Sequence, residues 1–63
     1  MIGDRIKELR KKKGYTQQHV ADITGIKVTA ICHYEKGNRV PNIRNLIKIA
    51  SALECDINEI INI

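Results

Sequence analysis

The chain has 63 residues, 43% of them hydrophobic, and its 11 Lys and Arg against 7 Asp and Glu give a formal net charge of +4. This length allows one small domain, near the lower limit for folding without a disulfide or metal, and it excludes a second domain or an enzyme-sized pocket. Because the sequence turns polar by its fourth residue, we expect neither a secretory nor a transmembrane segment.

The first predicted element is a helix from about Ile2 to Lys12. Ile2, Ile6 and Leu9 recur at helical spacing, and charged residues fill most of the positions between them. Gly14 is predicted to end this helix. The chain therefore begins with an amphipathic helix whose apolar side faces a core.

A second, shorter helix of about two turns is predicted to begin at Thr16. The threonine hydroxyl can accept a hydrogen bond from a first-turn amide, and Val20, Ala21 and Ile23 supply an apolar stripe. Gly25 stands where the chain must leave this helix, because glycine adopts the left-handed conformation of a tight turn without a Cβ clash.

The third predicted helix runs from Val28 to Lys36, after Ile26, which can fill the corner between the two helices. Gly37 and Asn38 close it, because both tolerate positive φ. On a helical wheel the inner residues are Ile31, Tyr34 and Glu35, and the outer residues are Thr29, Cys32, His33 and Lys36. The outer face is small, polar and partly basic, which favours close approach of another surface.

Two further helices complete the chain. The fourth follows Pro41 with Asn42 as its predicted N-cap, and the fifth begins with Asp56 and Glu59, which are spaced like a capping box. The predicted apolar residues are Ile43, Leu46, Ile49, Ala50 and Leu53 in the fourth helix and Ile60, Ile61 and Ile63 in the fifth. Because no segment alternates like a strand, the predicted fold class is all-α, a compact five-helix bundle.

The order and spacing of these residues resemble the single-domain helix-turn-helix group of the phage repressor and Cro type, also described as XRE-like. The resemblance spans nearly the whole chain, and its most specific part is the combination of the Thr-Gln start, the Gly-Ile turn, the Tyr-Glu-Lys-Gly exit and the Pro-led fourth helix. The matching residues are Ile6, Leu9, Arg10, Thr16, Gln17, Gln18, Val20, Ala21, Gly25, Ile26, Ile31, Tyr34, Glu35, Lys36, Gly37, Pro41, Leu46, Ile49, Ala50, Ala52 and Leu53. The resemblance implies one lambda-repressor-like DNA-binding domain over residues 1–63, with helices two and three forming the helix-turn-helix.

The resemblance also implies a sequence-specific, DNA-binding transcriptional regulator that places helix three in the major groove, with repression favoured over activation. Since one module of this size buries only about 600 to 1,000 Å² on DNA, we expect a homodimer on a palindromic operator in double-stranded DNA. The basic charge suits a polyanionic partner. We expect a cytoplasmic, nucleoid-associated protein.

Five residues fall on the base-reading positions of the resembled family: Lys27, Val28, Thr29, Cys32 and His33. Thr29 can donate to a base or phosphate, Val28 can pack on a thymine methyl, and the two basic side chains can donate to guanine. For Val28 and Cys32, packing within the bundle is an equally good interpretation. Because the set lacks Arg, Asn and Gln, we expect modest direct readout of the bases. A larger share of the recognition should come from DNA shape and from phosphate contacts.

A second group is predicted to contact DNA phosphates. Gln17 opens helix two, where the helix dipole attracts an anion, and the other members surround the places where a DNA backbone would pass. For each loop residue taken alone, simple solvation is an equally good interpretation. The group consists of Thr16, Gln17, Gln18, Lys36, Asn38, Arg39, Asn42 and Arg44.

Two further sets are predicted to have structural roles. The resemblance implies an internal ion pair between Arg10 and Glu35, so Arg10 is interpreted as structural rather than as a phosphate ligand. The last isoleucines exceed what one short helix must bury, which predicts a dimer interface, and closure of the monomer core is the alternative. These isoleucines are Ile57, Ile60, Ile61 and Ile63.

The sequence departs from the resembled family at three helix ends. His19 stands where the family usually has Glu, Lys27 replaces a Ser or Thr cap, and Glu54 replaces a Gly or Asn. A missing cap costs about 0.5 to 2 kcal/mol. We therefore expect a less rigid first turn in helix three.

We predict no cofactor, no metal, no small-molecule ligand, no membrane partner and no enzymatic activity. His19, Cys32, His33 and Cys55 lack the spacing of a zinc site, and no nucleophile is spaced with a base. Two cysteines suit a reducing cytoplasm. The alternative function is a protein-interaction module of the same fold, such as an antitoxin or an accessory regulator subunit, and a protein partner is one route for regulation.

Overall fold

The computed structural model describes residues 2–61, in which the chain forms five helices and no strand. The helices are α1 (Ile2–Lys12), α2 (Gln17–Thr24), α3 (Val28–Lys36), α4 (Ile43–Ala52) and α5 (Ile57–Ile61). The predicted all-α, five-helix architecture is confirmed. Met1, Asn62 and Ile63 lie outside the described residues, and with them the predicted interface role of Ile63.

The core is aliphatic and takes one almost fully buried, branched side chain from each helix. In chain order these are Ile6, Val20, Ile31, Ile49 and Ile60, and each exposes 1% of its surface or less. Because removing buried methyl groups leaves a cavity that the neighbours fill only in part, every helix contributes to the stability of the whole bundle. Helix α3 packs against both α1 and α2, so the first three helices hold one another.

Three predicted helix starts are confirmed by hydrogen bonds. The Thr16 hydroxyl oxygen accepts from the His19 N–H at 3.0 Å, and the side-chain oxygen of Asn42 accepts from the N–H three residues later at 2.8 Å. At α5 the Asp56 N–H donates to the Glu59 carboxylate at 3.0 Å. Each bond satisfies a backbone or side-chain group that a helix end would otherwise leave to water.

Two isoleucines that were predicted to face the core are exposed instead. Ile23 exposes 50% of its surface and Ile43 exposes 65%. The buried stripe of α2 is centred between Val20 and Ala21, and at about 100° per residue Ile23 lies roughly 110° from that centre. Ile43 is the first residue of α4, and the buried residues of that helix begin one turn later, at Leu46.

Helix α1 passes α3 at Gly3, a residue that the helical spacing of the sequence did not single out. Gly3 is buried, and a Cβ atom there would overlap the carbonyl oxygen of Tyr34 and lie 3.1 Å from that of Glu35. The absence of a side chain at this position is therefore what lets the start of α1 lie against the end of α3.

The turn after α4 contains a strained residue at Glu54, the position where the resembled family often has Gly or Asn. Glu54 has a φ of 55°, and no other non-glycine residue between 2 and 61 has a positive φ. A side chain in this left-handed conformation crowds its own backbone. The exposed carboxylate accepts a hydrogen bond from Lys13, which lowers the pKa of the Glu54 carboxyl and raises that of the lysine.

Glu54→Gly is expected to raise the melting temperature by about 4 °C. Glycine removes the left-handed strain, and the exposed ion pair that disappears with the carboxylate contributes little. The matched control is Glu54→Ala, which removes the same ion pair but keeps the strained backbone and should not gain stability. Thermal melts of the three proteins measure the difference. Equal melting temperatures for the Gly and Ala variants would show that the conformation at this turn carries no cost.

Candidate nucleic-acid interface

The turn between α2 and α3 is fixed by local hydrogen bonds and one buried side chain. Gly25 has a φ of 75°, and its N–H donates to the Ala21 carbonyl at 2.8 Å. The Thr24 hydroxyl donates to the Val20 carbonyl at 2.7 Å and accepts from the Ile26 N–H at 3.2 Å. Ile26 is buried and fills the corner, as predicted. These contacts set the angle at which α3 leaves α2.

Helix α3 has one buried face and one exposed face. The buried residues are Ile31, Tyr34 and Glu35, as the helical wheel predicted. The five candidates for base contact divide into Lys27, Thr29 and His33, which are exposed, and Val28 and Cys32, which are half-buried. Because Val28 packs against the core, only part of its side chain remains for another surface. The face that α3 offers is therefore centred on its three exposed members.

The first turn of α3 lacks a side-chain cap like the one that Thr16 gives to α2. Lys27 occupies the cap position with an extended backbone, and its side chain makes no capping hydrogen bond within the described structure. The predicted absence of this cap is confirmed. The N–H groups of an uncapped first turn carry the positive end of the helix dipole, and the exposed ammonium of Lys27 adds to it. This end of α3 is suited to an anion.

A buried ion pair joins the helices behind the exposed face. Arg10 donates to Glu35 from Nε at 2.7 Å and from Nη2 at 3.1 Å, and from Nη1 to the Tyr15 carbonyl at 2.6 Å. The amide nitrogen of Gln17 also donates to the Glu35 carboxylate, at 3.0 Å. One carboxylate therefore connects α1, α2 and α3. The resemblance implied the ion pair, but it did not predict the contribution of Gln17.

The three predicted phosphate ligands at the start of α2 differ in which side-chain hydrogen-bond donors remain available to an anion. The Thr16 oxygen caps the helix, which leaves its hydroxyl hydrogen as a donor. The amide of Gln17 is held by Glu35, and the amide nitrogen of Gln18 donates to Asp22 at 2.9 Å. An anion at this helix end would therefore meet chiefly the threonine hydroxyl and the first backbone N–H groups.

The predicted phosphate ligands from the end of α3 to the start of α4 are all exposed. They are Lys36, Asn38, Arg39, Asn42 and Arg44. The Asn42 oxygen is used by the α4 cap, so only its amide hydrogens remain as donors. The loop between the two helices is braced by Asn45, which donates to the Tyr34 hydroxyl at 2.9 Å. The sequence alone did not identify this positioning contact.

The exposed charges of the segment from Lys27 to Lys48 are all of one sign. Its basic residues are Lys27, Lys36, Arg39, Arg44 and Lys48, and all are exposed. The only acidic residue between positions 27 and 48 is Glu35, which is buried and paired with Arg10. An approaching polyanion therefore meets several cations here and no exposed carboxylate from this segment.

The part of the chain that the structure describes contains neither a metal-binding cluster nor a helix that could span a membrane. Between residues 2 and 61, no three His, Cys, Asp or Glu side chains are grouped so that they could hold a metal ion. Burial raises the pKa of the Cys55 thiol, which favours the protonated form over the metal-binding thiolate. Over the same range, no helix has both the length and the apolar character needed to cross a membrane.

The predicted dimer interface needs one correction. Ile60 is 1% exposed and belongs to the monomer core, so it has no surface left for a partner. Ile57 and Ile61 are half-buried and keep part of their surface. Beside Ile61, an open groove of about 580 Å³ runs between the start of α1, the end of α3 and α5. One wall of this groove is Val40, which exposes 74% of its surface.

The sequence matches the helix-turn-helix family model over residues 6–60. The cryptic phage CTXphi transcriptional repressor RstR of Vibrio cholerae is 42% identical over 59 residues, which cover 94% of this chain and 53% of RstR. The chain spans about half the length of the first curated relatives it matches.

Solved structures agree with the sequence match. The restriction-modification controller protein C.AhdI from Aeromonas hydrophila superposes with a TM-score of 0.91 at 32% identity, covering 94% of this chain and 89% of C.AhdI. The c2 repressor of Salmonella phage P22, in complex with a synthetic operator, superposes with a TM-score of 0.89 at 30% identity. That superposition covers 95% of this chain and 91% of the repressor chain.

Proposed function

The chain belongs to the helix-turn-helix family, and from this premise we propose that it is a sequence-specific, DNA-binding transcriptional regulator that acts as a repressor. In this proposal the whole chain serves as one DNA-binding domain, without enzymatic activity, and works at the nucleoid in the cytoplasm. The P22 c2 repressor, which shares the fold, is bound to an operator, and RstR is a transcriptional repressor. Both findings support the proposal.

The observation that carries the proposal is the charge pattern around α3. The exposed face of the helix contains small and polar side chains, and the basic residues Lys36, Arg39 and Arg44 follow in sequence, while the one carboxylate between positions 27 and 48 is buried. Contacts to phosphates position a protein on DNA, and contacts to base edges select the sequence. We assign Thr29 and His33 to base edges in the major groove, and the flanking phosphates to the cations Lys36, Arg39 and Arg44. Lys27 can reach either.

Selection of bound sites from a random duplex pool tests the proposal. The expected result is enrichment of a palindrome whose half-site centres lie about 34 Å apart, one helical turn of DNA. A protein that serves only as an interaction module would enrich no sequence and would bind DNA weakly and without preference. A reporter gene placed behind the enriched site then tests the sign of regulation, and increased expression would contradict repression.

Removing Arg39 of the loop and Arg44 at the start of α4, in the variant Arg39→Ala/Arg44→Ala, is expected to flatten the dependence of log K on log salt concentration. Each phosphate that the variant no longer neutralises should reduce the slope by about 0.9, because fewer counterions are released on binding. The matched control is Lys7→Ala/Lys11→Ala, which removes two exposed cations of α1 that the proposal does not use. Titrations at several salt concentrations measure both slopes. An equal decrease in slope for the two variants would point to a nonspecific charge effect.

We further propose that the active form is a homodimer in which two copies pack across the groove beside α5. Its apolar lining includes Ile2, Val40 and Ile61. In a two-fold interface each copy gives its partner what it receives, so the apolar lining of one copy can pack on that of the other. An apolar centre suits a self-complementary contact.

Val40→Glu is expected to convert the dimer into a monomer, since it places a carboxylate in the apolar centre of the contact. Sedimentation across a concentration series measures the change. The matched control is Ile47→Glu, which alters another exposed apolar side chain, 56% exposed, that does not line this groove. A Val40→Glu protein that still sediments as a dimer would contradict the assigned surface.

A further inference from the structure

His33 and Asn38 are brought together by the way α3 ends. The backbone N–H of Asn38 donates to the His33 carbonyl at 3.0 Å, and the next N–H along the chain reaches the same oxygen at 3.4 Å. Gly37 allows this reversal because its φ is 81°. The chain therefore folds back over the last turn of α3. The side-chain amide nitrogen of Asn38 then lies 3.4 Å from Nδ1 of the His33 ring.

The side-chain amide of Asn38 turns its nitrogen, rather than its oxygen, toward the His33 ring. In this orientation the amide donates, and Nδ1 of a neutral ring accepts and carries no proton. A neutral imidazole has one N–H, and that proton is then on Nε2. Because His33 lies on the exposed face of α3, Nε2 is the atom that it can offer to another molecule. What His33 presents is therefore a hydrogen-bond donor.

We propose that Asn38 is a specificity-determining positioning residue, which acts by holding His33 in the tautomer that donates from Nε2. This inference rests on the proposed binding of α3 in the major groove. There, guanine shows two acceptors, N7 and O6, whereas cytosine shows the N4 amino donor. A ring fixed as a donor favours guanine and disfavours cytosine at its operator position. Asn38 thus selects a base that it does not itself contact.

The role differs in a measurable way from the direct phosphate contact that the sequence predicted for Asn38. Removal of a phosphate ligand weakens binding to all sequences about equally and lowers the salt slope. Loss of tautomer control changes the preference between two bases at one position. The two roles therefore separate in the same set of binding experiments.

The first test measures the tautomer in the free protein by two-bond ¹H–¹⁵N correlation of the imidazole nitrogens, at about pH 8, where an imidazole is neutral. The wild-type protein should show His33 with Nδ1 unprotonated and Nε2 protonated. Asn38→Ala should give mixed tautomers, and Asn38→Asp, whose carboxylate only accepts, should place a proton on Nδ1. His19 is the internal control, and its signals should not change. A His33 tautomer that is the same in all three proteins would overturn the proposal.

The second test compares the bases selected by the wild-type and Asn38→Ala proteins. At one symmetric pair of operator positions, the preference for guanine over cytosine should fall by about threefold, the scale of one neutral hydrogen bond. Asn38→Gln keeps the amide donor and should therefore keep part of the preference for guanine over cytosine. If the wild type enriches a site and no position changes in the variant, the specificity role is overturned. If the wild type enriches no site, the proposed function and this role both fail, and the tautomer measurement still decides the contact between the two side chains.

Discussion

Glu35→Ala is expected to lower the free energy of unfolding by about 3 to 5 kcal/mol, because it leaves a buried charge without its partner. Glu35 is 6% exposed and Arg10 is 8% exposed. The carboxylate accepts two hydrogen bonds from Arg10 and one from Gln17. A domain of this size typically has about 3 to 9 kcal/mol of stability, so the variant should be close to unfolded at room temperature. Urea denaturation followed by circular dichroism measures the loss.

Two further variants keep this prediction testable if Glu35→Ala does not fold. Glu35→Gln has nearly the same shape and keeps an acceptor for Arg10, so its loss of stability should be smaller than that of alanine. The double variant Arg10→Met/Glu35→Leu removes both charges and fills the same space, and it should be more stable than either single charge removal. A Glu35→Ala protein with the wild-type unfolding midpoint would show that the ion pair has no role in joining the three helices.

Gly3→Ala is expected to destabilise the protein by about 1 to 3 kcal/mol, the usual range for a side chain forced into filled space. The new methyl group would overlap the Tyr34 carbonyl oxygen, which is backbone and cannot rotate away. The start of α1 must then move away from α3 or unwind. The direction of the change in stability is informative, because replacing Gly with Ala within a helix ordinarily stabilises a protein by about 1 kcal/mol. Urea denaturation again measures the change.

The control for Gly3→Ala is Lys7→Ala, an exposed position in the same helix where no close approach occurs. That variant should change the unfolding free energy by about 0.5 kcal/mol at most. If Gly3→Ala is as stable as the control or more stable, α1 and α3 do not pass as closely as the structure has them. A further consequence concerns the groove beside α5, because Gly3 also lines it. A displaced α1 should weaken dimerisation as well as folding.

The α3 face could be predicted from the sequence because a helix repeats at a fixed angle. The wheel placed Ile31, Tyr34 and Glu35 inside, and all three are buried. The wheel also placed Cys32 on the outer face, but in the structure Cys32 and Val28 are both half-buried. A wheel gives only the direction of a side chain, whereas its exposure depends on how the neighbouring residues pack around it. The roles of the outer residues on DNA remain predictions.

The sequence by itself determined the features that depend on neighbouring residues. Caps such as Thr16 and Asn42, and the left-handed turn at Gly25, involve atoms within about four residues of one another, so residue type and spacing were enough. The departure at Glu54 from the usual Gly or Asn was also visible in the sequence, but its positive φ was found only in the structure. The family resemblance added the pairing of Arg10 with Glu35.

Only the tertiary structure decided what depends on residues far apart in the chain. The need for glycine at position 3 comes from the carbonyl of Tyr34, and the use of Gln17 as a brace comes from Glu35. The burial of Ile60, which removed it from the predicted interface, depends on all the helices that surround it. A periodic pattern gives the direction of a side chain, whereas its partners depend on the angles and distances between helices, which many individually weak interactions set together.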